Sequence, residues 1–175
     1  MSFVTPNTPN LTDFTSYIED SVQIPTAALP TNDPFIGYAF DIALATCISG
    51  PVWCGIPGSS TTGPSALGIL YTLAVYNLGV ATLFQITPDQ AGQTYFADAR
   101  NSAVSANFPN GGFGLNKVST GLVQASSDEV TSASLVAPTW AAGLTVGQLQ
   151  LMKTYWGQQY LSFAQSYGPT IVGIT

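Results

Sequence analysis

The side chains that ordinarily do chemistry are scarce in this sequence, and their spacing excludes most reaction classes. There is no histidine among 175 residues, so Ser-His-Asp and Cys-His machinery and histidine-bearing metal sites are absent. Cys47 and Cys54 stand seven positions apart, with Gly50 and Pro51 between them. That spacing permits a disulfide, while two free thiols in a reducing cytoplasm is the plainer reading, because one pair makes no framework. The adjacent acids, Glu19-Asp20 and Asp128-Glu129, lack the alternating spacing of a calcium loop. Nine acids are enough by count for a two-carboxylate glycosidase, but such carboxylates usually lie in polar and aromatic grooves at strand ends, and this chain reads as helical. Gly111-Gly112-Phe113-Gly114 looks like a phosphate loop only until the next residues, since no Gly-Lys-Ser/Thr follows. Residues 108–114 read instead as a flexible turn. We assign no catalytic residue, no cofactor and no metal, and expect no enzymatic activity.

Charge narrows the classes further. Arg100, Lys117 and Lys153 are the only cations against nine acids, for a net charge of −6. Nucleic-acid affinity comes mostly from Lys and Arg neutralising phosphates, so this is no nucleic-acid grip. Charged residues make up 7% of the chain, where roughly 25% is usual. Its surface must be uncharged and polar or covered by neighbours, and the second is favoured. The N-terminus has neither the basic start nor the apolar run of a signal peptide, which leads us to expect cytoplasmic synthesis.

The elements that position these groups read as follows. Residues 1–10 are a polar arm with Pro6 and Pro9. Residues 11–22 predict a helix capped by Asn10 or Thr12, with Leu11, Phe14, Tyr17, Ile18 and Val22 on one face and Glu19 and Asp20 opposite. Asn32 or Asp33 followed by Pro34 starts a second helix. Its body, residues 35–48, is apolar nearly all round and therefore central. Asp41, its only charge, should find a hydrogen-bonding partner or a subunit contact.

Residues 51–63 are a loop by their Gly, Pro and Ser content. The 23 residues of 64–86 carry no charge and are long enough to cross a membrane. Thr72, Asn77, Thr82, Gln85 and two glycines, with no flanking cations, favour a buried central helix packed on residues 35–48 instead. Gly68 and Gly79 would permit close approach there.

A shorter helix is expected over 95–106. Ser, Thr, Val and Leu alternate around residues 127–129, predicting a β-hairpin or β-loop over about 119–137. Leu122 and Leu135, its large apolar side chains, are candidates for contact with a neighbour by strand pairing. Two helices follow, over 145–152 and 154–167, with Leu149, Met152, Trp156, Tyr160 and Phe163 at spacings of three and four. Gly168-Pro169 ends the second. In the tail, residues 169–175, Ile171, Val172 and Ile174 are candidate partner-binding residues, because a free β-prone tail is an aggregation hazard. The fold class is mainly α: one helical domain over 11–168, a small bundle with a projecting β-loop and extended termini.

Two stretches carry a family resemblance. Gly121-Leu122-Val123-Gln124-Ala125-Ser126-Ser127-Asp128-Glu129-Val130-Thr131-Ser132-Ala133-Ser134 resembles the loop of small head–tail connector proteins of tailed bacteriophages, also called adaptor or head-completion proteins. Leu149-Gln150-Leu151-Met152-Lys153-Thr154-Tyr155-Trp156-Gly157-Gln158-Gln159-Tyr160 is similar to their ending, and Ala74-Val75-Tyr76-Asn77-Leu78-Gly79 suits their helices. The low charge and the 51–63 stretch depart from that pattern. The resemblance implies a helical bundle with a projecting β-loop, in a homo-oligomeric ring of roughly twelve copies. The ring would bind the portal protein, through the C-terminal tail, and the next tail or nozzle component. DNA would pass through without specific binding, helped by like charge on the wall, and no membrane would be involved. The expected location is the head–tail junction of a virion. The alternatives are a small holin-like membrane protein using residues 64–86, or another virion part such as a capsid cement or tail-tip subunit. Solubility without detergent separates the first of these from a connector.

Overall fold

The computed structural model describes residues 3–6, 8–49, 66–116, 126–127, 132–133 and 146–167. It is mainly helical, and its centre is a helix with almost no polar face. This is α3, Ala66–Ile86. From Tyr71 to Phe84 nearly every side chain is buried, with Val75, Tyr76, Val80, Leu83 and Phe84 wholly so. An all-round apolar helix must be enclosed, and α3 is enclosed by the helices described next.

The first is α1, Leu11–Tyr17, started by Asn10, whose Oδ1 accepts the Asp13 N–H at 2.8 Å. It continues as a π-helical turn, Ile18–Val22, ending at Gln23 in the left-handed conformation, φ +60°. The expected single helix over 11–22 is thus two geometries, and Leu11 faces solvent rather than the core. Phe14 is the residue that seats α1. Its ring lies where a side chain on Gly79 would otherwise sit, 2.7 Å from the position of a Cβ there. Gly79 does allow a close approach, but by Phe14 of α1 rather than by the 35–48 helix that the sequence suggested.

The second is α2, Pro34–Ser49. Asp33 starts it, accepting the Phe35 N–H at 2.9 Å through Oδ1 and the Gln90 side-chain amide at 2.7 Å through Oδ2. One carboxylate therefore caps α2 and ties it to the chain leaving α3. Phe40 lies against Tyr76, and Cys47 is close enough to act on the Tyr71 phenol, so α2 and α3 run antiparallel. Their contact is the most extensive between any two elements described, as the sequence predicts. Ala39 and Ala43, both fully buried, let the helices approach.

Beyond α3, Asp89 accepts the Phe96 and Ala97 N–H groups at 2.6 and 2.9 Å and so starts α4, Tyr95–Arg100. This helix stops at Arg100, not near residue 106. A two-residue antiparallel ladder pairs β1, Ser126–Ser127, with β2, Ser132–Ala133; the rest of the expected β-loop lies outside the described residues. Finally α5, Val146–Leu151, turns into α6, Tyr155–Tyr167. The hinge is Thr154, whose Oγ1 accepts the Gly157 N–H at 3.0 Å. Trp156 then stacks on Phe84 at 5.1 Å, docking α6 on α3.

Two aromatic groups hold the two halves of α3. Phe3, Phe14, Tyr17 and Phe40 gather round Tyr76. Tyr95, Phe96, Phe113 and Trp156 gather round Phe84. Aromatic pairs of this kind add about 0.5–1.5 kcal/mol each beyond the area they bury. Residues Ile69–Ile86 are long and apolar enough to cross a membrane, and 72% of that stretch is buried inside the fold.

Substituting Gly79→Val forces Phe14 out of the core, so urea unfolding should show a loss of about 1–3 kcal/mol. An unchanged midpoint would contradict the packing described. Alkali gives a second test. Burial pushes the Tyr17, Tyr71 and Tyr76 phenols up from 10.0 to about 12, and the Cys47 thiol up from 9.0 to about 12. The unfolded chain releases those protons between pH 9 and 10, where the folded chain retains them. Stability is therefore full below pH 9 and is lost as pH climbs toward 12. Thermal melting between pH 7 and 11 checks this, and a flat melting temperature across that range would refute it.

Candidate docking surface

The residues with chemical potential are mostly occupied in holding the fold. Arg100 Nη1 donates to the Thr87 and Gln85 carbonyls, at 2.8 and 3.4 Å, at the C-terminal end of α3. A cation there is favoured by the helix dipole. Lys153 Nζ donates to the Gly114 carbonyl at 3.0 Å. Lys117 lies outside the described residues. Arg100 also borders a cleft of about 190 Å³ with Gln85, Leu115 and Gln150, and these described lining residues include no nucleophile or general base. Among the described residues no three of Asp, Glu and Cys stand together as a metal site. Cys47 is a buried free thiol, and Cys54 lies outside the described residues.

The glycine-rich turn is not the flexible segment that its composition suggests. Phe113 N–H donates to the Ala99 carbonyl at 2.6 Å, and Asn116 N–H to the Arg100 carbonyl at 3.1 Å. A Cβ on Gly112 would fall 2.1 Å from the Asp98 and Asn101 carbonyl oxygens. The turn thus caps the C-terminal end of α4, and Phe108 and Phe113 pin it to the aromatic group round Phe84. A phosphate site needs N–H groups directed outward at a helix N-terminus. Here they are directed at carbonyls.

What the fold leaves unused is apolar and on the outside. Along α2 the exposed positions among the described side chains are Pro34, Tyr38, Asp41, Ile42, Ala45 and Thr46, a single stripe at helical spacing. Tyr38 is 58% exposed and Ile42 46%. The Phe35 ring meets Tyr38 edge-on at 5.9 Å, so the stripe is braced on one side. Asp41 is exposed within it and has no hydrogen-bonding partner among the described residues. Ile69, on the second turn of α3, is 37% exposed. A second exposed set lies round the N-terminal arm: Val4, Leu11 and Tyr155. Tyr155 is near enough to Tyr17 to raise its pKa further, after burial has done most of the work.

No protein-family model, no curated protein and no solved structure matches the chain.

The partner-binding residues expected from the sequence, Leu122 and Leu135 of the β-loop and Ile171, Val172 and Ile174 of the tail, all lie outside the described residues. The α2 stripe was hidden in the sequence because residues 35–48 are apolar on every side, which reads as burial throughout. One signal was available. Asp41, the only charge in that stretch, marks the outward face, and Tyr38, Ile42 and Ala45 share it.

The turn offers a direct test. Gly112→Ala should lower stability by about 1–3 kcal/mol, since backbone must move to admit the methyl group. Inorganic phosphate should leave the melting temperature of the parent unchanged. Stabilisation by phosphate would restore the anion-site reading.

Proposed function

We propose that this chain is a structural subunit that assembles with copies of itself, in the manner of a head–tail connector of a tailed bacteriophage. The observation that carries the assembly reading is the outer face of α2. A helix at a water-facing surface normally turns polar residues outward, and this one turns out Tyr38 and Ile42 beside a single carboxylate. Exposed apolar surface rimmed by polar groups marks interaction sites. With 7% charged residues, the chain has little else to keep such a face in water.

The connector part of the proposal rests on residues 121–134 and 149–160. In the second stretch the structure supplies a local reason for the sequence. Gly157 is required because a Cβ there would fall 2.0 Å from the Leu151 carbonyl oxygen. Gln158 closes the α5–α6 turn, its side-chain amide donating to the Met152 carbonyl at 2.7 Å. In the proposed role a small helical bundle with a projecting β-loop forms a ring. That ring joins the portal protein to the next tail component and lets DNA pass without gripping it. The acidic net charge suits such a conduit. The use of Arg100 and Lys153 on backbone carbonyls leaves little to bind phosphates. The membrane alternative is less favoured, because α3 spends its apolar surface inside the fold.

Replacing Tyr38→Glu together with Ile42→Glu should separate the subunits without unfolding them, since both side chains are exposed. Sedimentation velocity should show the parent as multiples of 18.3 kDa and the double variant as single copies, with equal helical circular dichroism. A variant that assembles as the parent does would remove the α2 face from the proposal.

A further inference from the structure

The N-terminal arm is attached to the body in an unusual way. The described residues of the arm, 3–6, 8 and 9, make no hydrogen bond to the remainder of the described chain. One side chain anchors them: the Phe3 ring lies 5.2 Å from Tyr17, edge-on, and 6.1 Å from Tyr76. The next residue, Val4, is 81% exposed and finds no cover on its own subunit.

The groove that receives Phe3 is built independently of the arm. Tyr17 Oη donates to Asn77 Oδ1 at 3.2 Å, and the Asn77 amide donates to the Leu73 carbonyl at 2.8 Å. Tyr76 Oη accepts the Asn10 N–H at 3.2 Å and donates to the Asn10 carbonyl at 3.1 Å. Both rings are therefore fixed by polar contacts that survive removal of Phe3. Asn10 is the point where the chain is clamped, and Pro6 and Pro9 lie between it and the anchor. Proline keeps this connector extended and out of the helix that follows. Fully extended, seven residues reach about 24 Å. A 175-residue domain has a radius of gyration of about 16 Å, so the arm is long enough to cross onto an abutting copy.

We propose that the arm is exchanged in the assembly: Phe3 of one copy occupies the Tyr17–Tyr76 groove of the next. The occupant suits the groove because the groove already holds that same side chain. Exchange remakes every contact that the arm makes on its own subunit, which is why swapping identical elements is an accessible route to oligomers. The gain lies at Val4, which is left bare by the closed arrangement and is covered where an arm crosses a seam between two copies. Arm exchange joins each subunit to the next head-to-tail, the kind of contact that closes a ring. The inference rests on the assembly reading given above, and adds the element that links one subunit to its neighbour.

The test uses full-length chains carrying the photoreactive residue p-benzoylphenylalanine at position 3, which keeps an aromatic ring there. Light and 15N-labelled chains are unfolded together, refolded and irradiated, and the assembled fraction is digested for mass spectrometry. Cross-links from position 3 to peptides containing Tyr17 or Tyr76 should include pairs with one light and one heavy partner. If every such pair carries a single isotope, or if position 3 reaches neither peptide, arm exchange is wrong although assembly stands. If no assembled fraction forms with the unsubstituted chain either, the assembly reading itself has failed.

Discussion

The rest of the structure depends on the enclosure of α3. A helix of 21 residues with no charged side chain cannot lie at a water surface, so the chain must wrap it. Three close contacts achieve this. Phe14 enters over Gly79, the buried alanines of α2 bring that helix alongside, and Trp156 stacks on Phe84. Fully burying each large apolar side chain contributes about 1.5–3 kcal/mol, which the conformational entropy of ordering the chain largely offsets. Most polar groups of α3 are satisfied within the fold, Thr72 Oγ1 being buried without a hydrogen-bond partner among the described residues. Asn77 is satisfied by Tyr17 and its own helix, and the open carbonyls at the C-terminal end of α3 are met by Arg100. Arg100 is thereby committed to the fold rather than to a ligand.

Much of this was legible in the sequence, because it rests on patterns that one segment carries by itself. The apolar runs at 35–48 and 64–86, the caps at Asn10 and Asp33, and the Thr154 start of α6 are such local signals. The misreadings arose where a distant partner decides the outcome. The helix at 95–106 stops at Arg100 because the Gly112 turn folds back onto its carbonyls, a contact between residues a dozen positions apart. The same contact turns a glycine-rich segment from loose to anchored. Phe3 belongs to the aromatic group round Tyr76 only because α1 and α3 create a groove, and nothing in residues 1–10 announces it.

The docking surface was the least legible feature, for a reason that applies to charge-poor chains generally. Binary pattern separates inside from outside by polarity, and a segment apolar on both sides carries no such contrast. On α2 the two faces are Ile36, Ala39, Phe40, Ala43 and Cys47 within, and Tyr38, Asp41, Ile42, Ala45 and Thr46 without. The inward face mixes small and large side chains, Ala39 and Ala43 allowing close approach beside the buried Ile36 and Phe40. Neither size nor apolarity tells the faces apart, and the outward one is marked only by Asp41 and Thr46. An outward face of this make-up suits a subunit whose surface is completed by its neighbours, and the exposed Val4 on the arm repeats that logic.

The central claim is that copies of this chain complete one another's surfaces in a closed arrangement. Negative-stain electron microscopy of the purified full-length protein, at micromolar concentration and without detergent, tests it most directly. The account predicts class averages of closed rings with a central channel and one repeating subunit shape. A field of single subunits, or of irregular clusters with no rotational symmetry, would contradict it.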